Sequence, residues 1–382
     1  MTARSLTVSF CTLVAAQCVA PAIGAEPLNI PTILPLSGSA AFIGREFRES
    51  LGLIEERVNA AGGIKGRLIH FVIQDDESSP QVDVQLTNAA LSTNPPVMID
   101  GGPLALCKST VALIKDKSVM WCLTPSIRPD TGGYVFAVTA ATRDGVIAAL
   151  NYFRSRGLKK LAILNGNDAT GTDADALLTE AIALPAYAGM TYVAHEHFNL
   201  TDLSVAAQIS RIKASGAQAL ITYTTGTPVA TVLHGMADAS LDIPVFTSPG
   251  NMSTTQLDGY KSVLPKQLLF PGYAALSASP SIDRDVEAKI EAFKATSKAA
   301  NLSPDLLHAF PWDPVLLTVE ALKRAGPNAT ASELRSALDG VKNWPGVFGR
   351  YDFVAIPNRG IGVKALVVLK WDSSSSTWVT PD

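Results

Sequence analysis

Apolar residues in this chain switch repeatedly between a period of two and a period near 3.6, and this alternation limits the fold more than any other feature. Strands are predicted at 28–34, 68–74, 97–100, 119–123, 160–164, 191–197, 219–223 and 245–247. Helices are predicted between them at 40–60, 82–91, 107–115, 144–156, 173–184, 203–214 and 229–239. In the first helix Phe42, Ile43, Phe47, Leu51, Ile54 and Val58 recur at spacings near three and four, which gives it one apolar face. Regular strand–helix alternation means parallel sheets with helices on both faces. The rhythm breaks late. Helices are predicted at 283–300, 314–325 and 331–338, the last capped by Thr330 or Ser332, and a lone strand at 364–371 precedes a polar turn.

A chain of 382 residues is too long for one ordinary core. No low-complexity linker divides it, so two similar α/β halves joined by short crossings fit better than separate beads. Hydrophobic residues make up 47% and charged residues 17%, a balance that favours packed cores over disorder. The formal charge is −3 with no block of like charge, so neither nucleic acid nor a membrane surface is expected as a partner. The first 25 residues carry Arg4 as their only charge, then an apolar run and small residues. They read as a secretory signal cleaved near Ala25, with Ala22 as the alternative. Export leaves Cys107 and Cys122. In a right-handed βαβ unit both lie at one edge of the sheet, which allows a disulfide; two buried thiols are the other reading.

No nucleophile elbow, zinc-protease helix, dinucleotide fingerprint or phosphate loop is present, so no catalytic residue, enzymatic activity or cofactor is expected. His195 and His197 alternate on a predicted strand and share a face, but no third ligand stands at a convincing spacing, so no metal site is expected.

Four motifs then carry a resemblance. Leu34-Pro35-Leu36-Ser37-Gly38 ends a strand before a helix, and Val58-Asn59-Ala60-Ala61-Gly62-Gly63-Ile64-Lys65-Gly66-Arg67 ends that helix. Asp75-Asp76 closes the next strand ahead of Pro80, and Thr124-Pro125-Ser126 follows a later one. The chain resembles the type I periplasmic binding proteins, most closely the leucine/isoleucine/valine-binding receptors of ABC transporters, over roughly residues 28–372. The resemblance implies two Rossmann-like, doubly wound α/β lobes joined by a three-crossing hinge. The first would be 26–142 plus 273–343 and the second 143–272 plus 344–382. A small organic ligand would bind in the cleft between them, and a membrane permease would receive it from a periplasmic monomer.

Carried over residue by residue, the resemblance places Phe42 or Ile43 at the cleft mouth, though both also suit helix packing. The loop that in the family carries ligand-binding serines here holds Leu104 and Ala105 and no hydroxyl. Ser126 is the expected carboxylate holder, with Arg128 either a clamp or an exposed surface residue. In the second lobe Thr170, Thr225 and Asn251 stand near family ligand positions, and Tyr273 lies at the hinge. Trp312 matches a family aromatic near the cleft, as a flat wall or as core. The family's acidic partner for a ligand ammonium falls near Pro249, where no carboxylate is present. A buried ammonium without a counter-charge is costly. A hydrophobic or aromatic organic acid is therefore the expected ligand. A branched-chain amino acid or amide in a rearranged pocket is the alternative, and a ligand-sensing receptor subunit would have the same clamp.

Overall fold

A computed structural model describes residues 26–277 and 283–381; the expected signal segment lies outside the described residues. The first lobe is built from β1 (Leu28–Leu34), α1 (Ala41–Ala60), β2 (Ile69–Asp75), α2 (Pro80–Leu91), β3 (Val97–Asp100), α3 (Leu104–Ile114), β4 (Val119–Cys122) and β5 (Val135–Ala137). Its strands form a parallel sheet in the order β2-β1-β3-β4-β5. The second lobe continues with α4 (Thr142–Ser155), β6 (Lys160–Gly166), α5 (Ala169–Ile182), β7 (Thr191–Phe198), α6 (Ala206–Ala214), β8 (Ala219–Thr222), α7 (Thr227–Asp238), β9 (Val245–Thr247), α8 (Thr254–Gly259) and β10 (Leu268–Tyr273). The order β7-β6-β8-β9-β10 repeats that of the first sheet. The chain then returns to the first lobe with α9 (Arg284–Ala299), α10 (Leu306–Ala309), α11 (Trp312–Ala325), α12 (Ala331–Asp339) and the small pair β11 (Trp344–Pro345) and β12 (Arg350–Tyr351). Antiparallel β13 (Leu366–Asp372) and β14 (Thr377–Val379) close the second sheet beside β10.

Sequence explains most of these elements. Every residue of β3 and β4 is buried, as expected for central parallel strands covered on both faces. The apolar face of α1 buries Ile43, Phe47, Leu51, Ile54 and Val58. Gly63, at φ 64°, takes the chain off that helix; a Cβ there would lie 2.2 Å from the Arg67 carbonyl oxygen. Thr330, rather than Ser332, caps α12, with Glu333 completing the capping box. Helix α3 begins at Leu104, three residues before its predicted start at Cys107, because Pro103 supplies the turn into it.

The expected lobe boundaries shift in one place. Residues 344–361, predicted to lie in the second lobe, pack on the first. Tyr351 donates to the Val138 carbonyl at 2.6 Å, and Asn358 Nδ2 donates to the Gly133 and Val135 carbonyls at 3.1 and 3.0 Å. Phe353 meets the rings of Trp121 and Phe136. The aromatic run of 344–353 finds its apolar partners beside β5, so we place the third crossing at 362–365 instead of 343. Cys107 and Cys122 are joined as a disulfide with Cα atoms 6.0 Å apart, tying the first turn of α3 to the end of β4.

Beneath the loops at the carboxyl ends of these strands, burial pushes Asp76, Asp83 and Asp100 up to about 7, 8 and 7. The folded protein thus holds protons that the unfolded chain has released above pH ~4, so stability falls as pH rises toward ~8. Thermal melts should show a Tm at least about 3 °C higher near pH ~5.5 than near ~8.5; a flat or rising profile would contradict this.

Candidate functional site

Each sheet has a switch point where strand order reverses, between β1 and β3 in the first lobe and between β6 and β8 in the second. Loops at the carboxyl ends of strands flank a crevice at such points, and here the two crevices face each other. The cavity between them is lined by Gly102, Pro103 and Leu104 after β3, Leu123 to Ser126 after β4, and Ile43 and Phe47 from α1. Leu307 and Phe310 complete the first-lobe side, and Thr170, Thr225, Ser248 and Gly250 face them from the second. The lobes are shut so closely that only about 20 Å³ is open to the centre of a water molecule. With the lobes this close, the cavity has no room for an organic molecule. A larger open groove of about 730 Å³, lined by Leu28, Arg67 and Asn94 among others, lies at the amino end of the first sheet, away from both switch points.

The lining divides into two chemistries. Phe47 and Phe310 meet edge to face with ring centroids 5.8 Å apart, and with Ile43, Leu104, Leu123 and Leu307 they form an apolar wall. Hydroxyls from both lobes supply the polar part of the lining. Ser126 Oγ lies 2.8 Å from Thr142 Oγ1, and Thr225 Oγ1 donates to Ser248 Oγ at 3.4 Å. Thr170 Oγ1 is buried close to the Asp168 carboxylate without hydrogen-bond geometry to it. Three helices, α3, α5 and α7, begin at this seam, and α3 and α7 have no side-chain cap. All three amino ends carry partial positive charge, and that of α3 also carries N–H groups without a side-chain cap, which suits an anion. No ionisable side chain is among the lining residues.

Several interlobe contacts hold the seam closed. The Ser253 hydroxyl, at the start of α8, donates to Glu46 of α1, and the Thr254 N–H donates to Asp305 Oδ2 at 3.0 Å. Burial, with the Asp305 charge, pushes Glu46 up to about 8. Against burial, which works to lower it, the Asp305 carboxylate 2.9 Å away helps to hold His308 up at about 9. Gly226 of the second lobe approaches so closely that a Cβ would sit 2.8 Å from the Ser39 carbonyl oxygen of the first. Gly226→Ala should weaken the closed form by about 1–3 kcal/mol. Small-angle scattering would register this as a larger radius of gyration than wild type; an unchanged radius would contradict it.

Of the residues predicted for the site, Ser126, Ile43, Leu104, Thr170 and Thr225 come together at the cavity. The others lie elsewhere. Arg128 reaches across the seam to pair with Asp173 of α5 at the protein surface, so it bridges the lobes and is no clamp within the cavity. Trp312 is 2% exposed and packs its edge on Phe293, 5.2 Å away, in the core behind the wall. Phe42 lies on the seam near Gly226, and Ala105 sits half-buried in the first turn of α3; neither lines the cavity. Asn251 is a buried brace, accepting from Gly226 N–H at 3.1 Å and donating to the Thr224 carbonyl at 2.8 Å. Tyr273 is buried at the hinge, where its oxygen accepts from Ala140 N–H at 3.0 Å. Of the two roles open to Trp312 the structure shows core: Phe310 and Pro311 have helical backbone, so residues 310 and 312 point about 200° apart and only Phe310 reaches the cavity. Phe47 was legible as the residue one helical turn beyond Ile43. Ser248 and Gly250 had no signal beyond a turn-like composition.

A model of the periplasmic binding protein family matches residues 27–376. A leucine-, isoleucine-, valine-, threonine- and alanine-binding protein of Pseudomonas aeruginosa is 22% identical over 82% of this chain and 83% of its own length. Among solved structures, a branched-chain amino acid transporter substrate-binding protein from Streptococcus pneumoniae, in complex with isoleucine, is 20% identical and superposes with a TM-score of 0.76. That match covers 92% of this chain and 97% of the other. A solute-binding protein of an ABC transporter from Rhodopseudomonas palustris, in complex with 3,4-dihydroxybenzoic acid, gives 18% identity and a TM-score of 0.74 over 92% and 95% of the two chains. Among the described residues no helix is long and apolar enough to cross a membrane.

Proposed function

The chain belongs to the periplasmic binding protein family, and from that premise we propose that it is the substrate-binding subunit of an ABC importer for a small hydrophobic or aromatic organic acid. The family is one of solute-binding receptors and not a class of enzymes. The observation that carries the choice of ligand is the composition of the cavity: hydroxyls from both lobes and the uncapped amino end of α3, an apolar wall with Phe47 and Phe310, and no carboxylate in the lining. A carboxylate end would take hydrogen bonds from Ser126, Thr170 and the uncapped N–H groups of α3. An apolar or aromatic body would lie against the two phenylalanines. An α-amino acid would bring an ammonium that meets no carboxylate among the lining residues, at a cost of several kcal/mol by order of magnitude. The Rhodopseudomonas palustris complex supports this reading, since there a similar fold holds an aromatic acid.

Capture would proceed by hinge closure, with the Glu46–Ser253 and Arg128–Asp173 contacts forming as the lobes meet. The exposed lobe tips would then be offered to the permease. Isothermal titration calorimetry against benzoate, 3,4-dihydroxybenzoate, a phenylpropenoate, leucine and isoleucine tests the reading. At least one of the aromatic acids should bind at least about a hundredfold more tightly than either amino acid, a gap of roughly 2.7 kcal/mol. Tight leucine binding without any aromatic acid binding would overturn it.

A further inference from the structure

We propose that Asp175, His195 and His197 form a binding site for a divalent late first-row transition ion on the outer face of the second lobe. His195 and His197 stand two residues apart on the edge strand β7, so their rings share a face, with centroids 5.0 Å apart. The donor missing from the local sequence comes from another element. Asp175 of α5 meets both rings, one with each carboxylate oxygen: Oδ1 lies 2.9 Å from His195 Nε2 and Oδ2 lies 2.7 Å from His197 Nε2. All three groups offer a ligand atom within 4.8 Å of the others. Zinc bonds to imidazole nitrogen and carboxylate oxygen are about 2.0–2.2 Å long, so ligand atoms around a tetrahedral ion stand a little over 3 Å apart. With one carboxylate oxygen as ligand, that oxygen and the imidazole nitrogen beside it need to part by only about half an ångström to admit the ion.

The carboxylate is held in place from behind. Asn165 on β6 lies opposite His197 in the sheet and donates to Asp175 Oδ1 at 2.7 Å. Asn165 is fully buried, and its own Oδ1 accepts from Tyr223 N–H at 2.7 Å, so it cannot turn away. Outer partners of this kind orient metal ligands. The rings are 39% and 40% exposed, which leaves the outward coordination positions to water. On binding, each Nε2 gives its lone pair to the ion, and its proton passes to Nδ1 or to solvent. Two imidazoles and one carboxylate favour zinc, copper or nickel over magnesium or calcium. A second group, Glu46, Asp305 and His308, is buried and already engaged in the interlobe latch.

The test is calorimetric titration of the full mature protein, free of any affinity tag, with zinc chloride. One ion per chain should bind with a Kd on the order of 1–10 µM. His197→Ala and Asp175→Asn should each raise that Kd at least about tenfold, while His70→Ala and His234→Ala should leave it unchanged. X-ray absorption of the zinc-loaded wild type should show two imidazole ligands, a readout that does not depend on any variant folding. No saturable binding below about 1 mM, binding that survives His197→Ala, or fewer than two imidazoles at the ion would overturn the proposal.

Discussion

Replacing Arg359 with methionine should destabilise the protein by about 2–4 kcal/mol. This side chain is 7% exposed and donates to the Thr139 carbonyl at 2.6 Å, to the Pro125 carbonyl at 3.4 Å and to the Ile127 carbonyl. It thereby pins the 125–139 segment at both ends, including the cavity residue Ser126, from a position more than 200 residues later in the chain. Methionine fills similar space but leaves those carbonyls buried without donors, at about 1–3 kcal/mol each. Part of the loss is offset because the guanidinium is itself burdened: burial pushes it down to about 10, and it stays charged at neutral pH. Arg359→Lys should recover only part, since a single ammonium cannot spread its donors as a planar fork does. Urea unfolding measures the effect, and a midpoint shift worth less than about 0.5 kcal/mol would refute it.

Opening the Cys107–Cys122 bridge should cost about 3 kcal/mol. The bridge closes a span of 15 residues, and the cost is chiefly the freedom restored to that span in the unfolded chain. Both cysteines are fully buried, so the Cys107→Ala/Cys122→Ala variant adds a small packing loss of about 1 kcal/mol. Unfolding the wild type with and without reductant isolates the bridge itself. Because α3 starts at the cavity residue Leu104, its amino end should also exchange amide hydrogen faster once the tether is cut. Equal stability with and without reductant would show that the bridge contributes nothing.

Much of this protein was legible before any fold was known. The two periods of apolar residues separate strands from helices because a pleated strand buries every second side chain and a helix every third or fourth. The strand–helix rhythm then admits little besides parallel sheets, and the run Val58 to Arg67 reads as a helix end because only glycine suits the turn at Gly63. The lack of a carboxylate near Pro249 was equally visible, and it still governs the choice of ligand. Ser126, Thr170 and Thr225, which the family resemblance placed near the ligand, line the cavity because loops after parallel strands converge at a switch point.

Other features depend on distances that one chain direction does not encode. Arg128 and Asp173 meet only because the lobes close, and Asp175 reaches His195 and His197 only because α5 packs over the edge of the second sheet. Helical backbone at Phe310 and Pro311 puts residues 310 and 312 on opposite sides, but which of the two sides faces the cavity is set by how that stretch packs on α1 and α9. Local sequence specifies which elements form, because propensity and periodicity act over a few residues. Packing between elements specifies which side chains meet, because contact free energy is gained only once distant segments are brought together.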